Sequence, residues 1–423
     1  MSSSHLSIVL NPDQESAIAK MLEFIQDPDP VSPFFVFAGF AGTGKTFCMR
    51  EVAARLAPSH CQIAYTAPTN KAAKVLRGVT GAAQTIFSLL GLRIDKSGEL
   101  KQLVSGKPPE NLKDLDVVFL DEASMVNDNL MKELTIAAKR DGFRVVFMGD
   151  EAQLPPVKEA TSPVWKLPVN ARLTKVMRHD NEILELVTDI REVINSPAPC
   201  INIKSKHHGD TGIWKMTKMG FKESIYNAAM AGGFADGGVG KVIAWRNVQV
   251  DEYNALIRNA LWGAGADFYV PGERIVAAAP LARGDEQLMM TDEEAVVESV
   301  AVCKHPLEPK YMAYELKCRT EDNRTVRLIT LHPSSRHVFE SDCQALAHDA
   351  AVMPKLWRKF WELKDIFHDI KYAYAITAHR SQGSTYTNVW VDYQDILKNH
   401  NRREAFMCLY VACSRPTTKL ILA

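Results

Sequence analysis

The chain has 423 residues, 46% hydrophobic and 24% charged, with 50 basic and 50 acidic side chains. This is ordinary for a globular protein of two to four domains, and zero net charge excludes holding nucleic acid on a globally basic surface; such a partner would need a local basic channel. Eight cysteines without a C-x-x-C pair or zinc spacing imply no disulfide framework and suit a reducing compartment. No basic and then apolar leader follows Met1, and no run approaches the ~18 apolar residues of a membrane span, so the expectation is a cytoplasmic protein without a membrane partner.

In chain order, Asn11-Pro12-Asp13-Gln14 opens a first helix. Residues 34–38 (FFVFA) read as a buried strand and residues 47–56 as a helix. Between them lies GFAGTGKT, Gly39 to Thr46, a phosphate loop in the strand–loop–helix context that it requires. Glycines let backbone N–H groups close around phosphate oxygens, and the helix N-terminus adds positive field there. Gly39, Gly42, Thr43, Gly44, Lys45 and Thr46 are therefore the expected triphosphate site. Lys45 would reach the β/γ-phosphates of ATP and the Thr46 hydroxyl would bind Mg²⁺.

Residues 63–66, 117–120 and 145–148 are further short, β-rich strands of the kind covered on both faces. The alternation predicts an α/β fold with a parallel sheet, here residues 1–91 and 113–172. It breaks at residues 92–112, where Asp95-Lys96-Ser97-Gly98 signals a turn and a small inserted hairpin. Strand candidates at 241–245, 372–376, 389–391, 409–412 and 420–422 predict a second sheet domain, residues 173–268 and 371–423. Residues 269–370 between them read as an accessory domain, first β-rich and then helical. In its helical part, Leu356, Trp357, Phe360, Trp361 and Phe367 form one stripe that reads as core-facing.

Asp121-Glu122 ends an apolar strand of the phosphate-loop sheet. A carboxylate pair there suits Asp121 as Mg²⁺ ligand and Glu122 as the base that polarises water. Gln153, in the run from Gly149 to Val157, is placed to sense a γ-phosphate; alone, that segment reads equally well as a proline-rich connector.

Seven segments, in order, resemble the motifs of superfamily 1 helicases: TAPTNKAA at 66–73, TIFSLL at 85–90, Asp121-Glu122, GDEAQLPPV at 149–157, LTKVMR at 173–178, AITAHRSQGST at 375–385 and LYVACSR at 409–415. TAPTNKAA and QLPPV point to the RecD/Dda branch, superfamily 1B. The resemblance spans residues 14–415 and implies two RecA-like domains of the P-loop NTPase class, with a hairpin insertion as candidate strand-separating pin and an SH3-like plus helical accessory domain.

It implies roles as well. Gln14 would read the adenine edge, although a solvated residue on a first helix is the plain reading. Arg178 and Arg415 would be arginine fingers; Gly383 would line the nucleotide site. The single-stranded DNA track would use Pro68, Thr69, Asn70, Lys71, Thr85 and Ser88 from the first sheet, and Thr377, His379 and Ser381 from the second. Such tracks grip the backbone and stack bases on aromatics. Trp245 and Phe87 are stacking candidates that read equally as core. Arg380 stands where relatives carry Lys and is expected to keep a phosphate contact.

The expected activity is an ATP-dependent DNA helicase moving 5′ to 3′ on single strands. It would be a monomer acting at single-strand/duplex junctions, with single-strand-binding or replication proteins as partners. Because the hairpin carries no aromatic residue, a translocase that displaces proteins with weak unwinding is the alternative. A P-loop metabolic kinase is a third reading, but it gives no role to residues 379–385.

Overall fold

The computed structural model describes residues 10–94, 100–102, 112–157, 159–175, 182–237, 239–283 and 286–423. The chain divides into two compact units, Met1–Met216 with Ser381–Ala423, and Thr217–Arg380.

The first unit is built on a six-stranded sheet in the order Gln84–Thr85, Ile63–Ala67, Val117–Leu120, Arg144–Gly149, Phe34–Gly39, Ala171–Leu173. All its pairings are parallel. Helices cover both faces, which explains strands without polar alternation. On one face Ile18, Met21, Met49 and Val52 pack on Phe35, Phe37 and Phe119; on the other Leu130 and Leu134 pack on Val36, Val118 and Phe147. The first helix, Pro12–Gln26, starts on a capping box: Asn11 Oδ1 accepts from Gln14 N, and Gln14 Oε1 accepts from Asn11 N. The same unit holds a second group, Tyr386–Val391, Pro416–Leu422 and Thr211–Lys215 in parallel, with Lys206–His208 antiparallel at its edge. Leu92–Ile94 and Leu100–Gln102 pair antiparallel, so the inserted hairpin is present; residues 95–99 and 103–111 lie outside the described residues.

In the second unit Gly240–Ala244 pairs in parallel with Ala375–Thr377. A five-stranded antiparallel sheet follows the order Thr325–Leu331, Met312–Thr320, Glu294–Lys304, Arg274–Ala277, Ile370–Tyr372. Its core is Ile275, Val297, Leu316, Cys318 and Leu328 with Tyr269 and Tyr314.

Three expectations need correction. Residues 409–412 are not a strand but belong to the helix Arg402–Cys413, in which every residue from Ala405 to Cys413 is buried. A fully buried helix is apolar all round and loses the periodicity that separates it from a buried strand; the overlooked signal is Asn401, whose side chain caps Glu404 N. The run 372–376 is two strands, broken at Ala373 and Tyr374 and divided between two sheets. The aromatic stripe is not core-facing throughout, since Trp357 and Trp361 are 39% and 46% exposed on a helix, Trp357–Lys364, that buries no residue.

Candidate active site

Strand Phe34–Gly39 delivers the loop at the carboxyl edge of the sheet, where helix Lys45–Leu56 begins. Gly42 and Gly44 take φ of +80° and +91°, open to glycine without strain. A Cβ on Gly44 would lie 2.7 Å from Gln14 Nε2, and one on Gly39 would lie 2.8 Å from Thr43 Oγ1. Lys45 Nζ donates to Gly39 O (2.6 Å) and Phe40 O (3.1 Å), so its ammonium rests on loop carbonyls where phosphate oxygens would stand. Gln14 is buried, and its Nε2 donates to Thr43 O (3.3 Å), tying the first helix to the loop.

Asp121 and Glu122 follow strand Val117–Leu120. Asp121 Oδ1 accepts from Glu122 N (2.9 Å), and Glu122 holds a left-handed φ of +53°. A side chain other than glycine in that region carries strain, which aims Glu122 away from the strand's line. Both carboxylates are partly accessible at the surface yet closely surrounded by protein. Burial raises both acids above their ordinary range, with Lys45 opposing the rise in Asp121. Glu122 is pushed to about 7, by burial first and the Asp121 charge second, against the pull of Arg415 and Lys45. The donor set of Thr46 hydroxyl and Asp121 carboxylate is all oxygen, and it sits beside a Lys–Gly loop. It fits a hard cation such as Mg²⁺ with a triphosphate.

Arg415 is 6% exposed, and burial lowers its pKa. Its Nε donates to Val411 O (2.8 Å), and its Nη1 to Ser384 O (3.1 Å). These bonds aim the guanidinium, whose charge acts on Glu122. Gln153 is buried, and its Oε1 accepts from Gln382 Nε2 (3.1 Å), which also reaches Ser124 Oγ (3.3 Å). Gly383 has φ +72° and lies against Ala72, 3.1 Å from Ala72 Cβ to an added Cβ. Arg178 lies outside the described residues.

The sequence reading missed Gln382, Ser124, Asp150 and Tyr410. Asp150 is 1% exposed; Oδ2 accepts from Ala41 N (3.1 Å) and from the Tyr410 hydroxyl, and Oδ1 accepts from Ala152 N (3.0 Å). An acid at the end of an apolar strand, three residues before Gln153, was the available signal.

The expected track residues are placed less uniformly. Pro68 is buried, and Thr69 caps helix Asn70–Thr80 by accepting from Ala72 N (3.2 Å). Asn70 opens that helix, half-buried, while Lys71 Nζ donates to Tyr386 OH (2.8 Å). Thr85 is buried and accepts from Ser88 N (3.1 Å); Ser88 is exposed. Phe87 packs, half-buried, against the core. Ser381 is fully buried. Trp245, Thr377 and His379 belong to the other unit, each half-buried. Arg380 departs from the expected phosphate contact: it ion-pairs with Asp292 and donates to Ala277 O (3.1 Å).

The family model of an AAA domain matches residues 9–196, and that of a UvrD-like helicase C-terminal domain matches residues 372–423. The ATP-dependent DNA helicase dda of Enterobacteria phage T4 is 25% identical, covering 89% of this chain and 91% of that protein. The ATP-dependent RecD2 DNA helicase of Deinococcus radiodurans is 37% identical over 34% of this chain and 19% of its own length. The fold is similar to that of a Pif1 helicase from Bacteroides in complex with ADP-AlF3 and single-stranded DNA, with a TM-score of 0.54, 17% identity and coverage of 98% and 92%. Matches at both ends of the chain, a helicase similar along nearly its whole length and the loop–carboxylate–arginine geometry agree in supporting a helicase of the Pif1/RecD/Dda-like superfamily 1B.

Proposed function

We propose that the chain is an ATP-dependent DNA helicase that translocates along single-stranded DNA in the 5′ to 3′ direction and opens duplexes at single-strand/duplex junctions. The observation that carries this reading is Arg415 held within electrostatic reach of Glu122, which Lys45 of the glycine loop also reaches. The full-length similarity to a T4 DNA helicase supports DNA as the track, and the direction rests on the branch.

In this reading Lys45 and the loop N–H groups hold the triphosphate, and Gln14 holds its base. Thr46 and Asp121 hold Mg²⁺, which when bound neutralises phosphate charge. Glu122 takes a proton from the attacking water, and Arg415, with Arg178, stabilises charge on the transferred phosphoryl group. Gln153, linked to Gln382, reports occupancy of the γ site. Asn70, Lys71 and Ser88, with Trp245, Thr377 and His379, grip the strand in alternation. The protein acts as a monomer in a host cytoplasm, alongside single-strand-binding or replication proteins. No described helix is long and apolar enough to cross a membrane.

The test is ATP-dependent unwinding of matched forked, 5′-tailed and 3′-tailed duplexes. Opening of 5′-tailed but not 3′-tailed substrates is expected; the reverse overturns the direction. ATP-driven displacement of a bound protein without strand separation would favour the translocase reading, to which the hairpin's lack of an aromatic residue points.

A further inference from the structure

The loop's inner face is built for phosphate, and its outer face is fastened. Ala41 N donates to Asp150 Oδ2 (3.1 Å) and also lies 3.3 Å from the Tyr410 hydroxyl, which donates to the same carboxylate oxygen. Next to it the Arg191 guanidinium lies 3.8 Å over the Phe40 ring. Asp150 and Tyr410 are each 1% exposed, so the carboxylate–hydroxyl pair is shielded from water. Burial and the Asp150 charge keep the Tyr410 hydroxyl protonated, a donor only to that carboxylate.

In this loop the Ala41 N–H points outward, to Asp150 and Tyr410. With Ala41 N turned to Asp150, Thr43 N and Oγ1 close onto Phe40 O (3.3 and 2.9 Å). Gly44, Lys45 and Thr46 then open the helix with N–H groups that have no partner in the preceding turn. Tyr410 stands on the buried helix Arg402–Cys413, and Arg415 follows two residues after its end. The helix that aims the finger thus also holds the loop.

We propose that Tyr410, acting through Asp150, is a positioning residue that pre-shapes the glycine loop for the triphosphate and ties that shape to the placement of Arg415. This rests on the ATPase reading above. Losing the hydroxyl takes one of two donors from Asp150 Oδ2 and leaves Ala41 N, so the carboxylate is held less firmly, fixes the loop less tightly and stands under-partnered beside incoming phosphate.

The test is the binding of a fluorescent ATP analogue to the full chain without DNA, for wild type, Tyr410→Phe, Asp150→Ala and the double variant. Single-strand affinity and thermal melting are measured in parallel. Tyr410→Phe is expected to weaken nucleotide binding about fivefold to tenfold, with single-strand affinity and melting little changed; the double variant binds no more weakly than Asp150→Ala alone. A fall in DNA affinity or melting equal to the nucleotide loss would reduce Tyr410 to a packing residue and overturn the proposal. So would unchanged nucleotide affinity in Tyr410→Phe, which decides the matter if Asp150→Ala fails to fold. Failure of the wild type to bind the analogue would instead defeat the ATPase reading.

Discussion

Replacing Glu122 with Gln separates chemistry from stability. The carboxyl sits at about 7 in the folded chain against an ordinary 4.5. Its folded pKa is raised, so the folded state binds the proton more tightly than the unfolded one. Stability from this group is therefore full below about 4.5 and is lost as pH rises to about 7. Above 7 the folded protein carries the whole penalty, about 3 kcal/mol for a sealed site and about 2 kcal/mol once its partial exposure is allowed for. Gln keeps the shape, tolerates the same left-handed φ at similar strain, and has no charge to bury. Glu122→Gln should melt higher at pH 8, by roughly 4 °C for a unit of this size, and the gain should shrink to about a quarter of that as pH falls to 5. It should also slow DNA-stimulated ATP hydrolysis by roughly 10²–10⁴. Melting of both proteins across pH 5–8 without nucleotide, with turnover alongside, checks this. An equal or lower melting temperature at pH 8, a gain independent of pH, or wild-type turnover would refute the reasoning.

Lys45→Ala should abolish DNA-stimulated hydrolysis; substantial residual turnover in a phosphate-release assay would overturn its assignment. Arg415→Ala should leave ATP binding largely intact while slowing hydrolysis by about 10³ or more, visible as a split between nucleotide affinity and kcat. Gly44→Ala forces a Cβ onto Gln14 Nε2 at φ +91°, costing roughly 1–2 kcal/mol locally, and should show as lost nucleotide affinity with little change in melting. Lys71→Ala should reduce the salt slope of single-strand binding by about 1 if the ammonium leaves Tyr386 for a phosphate; an unchanged slope would assign Lys71 to the Tyr386 contact alone.

The glycine loop and the carboxylate pair were legible because their chemistry is local: eight consecutive residues build the cradle, and Asp121-Glu122 closes one strand. The parallel sheet was legible from strands such as residues 117–120, whose two covered faces leave an unbroken apolar run. What escaped the sequence is non-local. Helix Arg402–Cys413 is enclosed on all sides, and burial erased the amphipathic signal that separates helix from strand. Asp150 and Tyr410 are 260 residues apart in sequence, and neither is unusual in its own segment. Arg380 looked like a phosphate ligand because it stands where relatives carry Lys, and only the turn holding Asp292 at φ +64° shows where its charge is used.

That last contact has an engineering consequence. Arg380, just past strand Ala375–Thr377, reaches the turn at Asp292 and the carbonyl of Ala277, so the five-stranded sheet is bolted to the segment that carries His379. A sheet grafted in without the matching acid would leave a cation stranded at the joint. The accessory domain is therefore not an interchangeable cartridge; whatever exchanges it must carry Asp292 and Arg380 together.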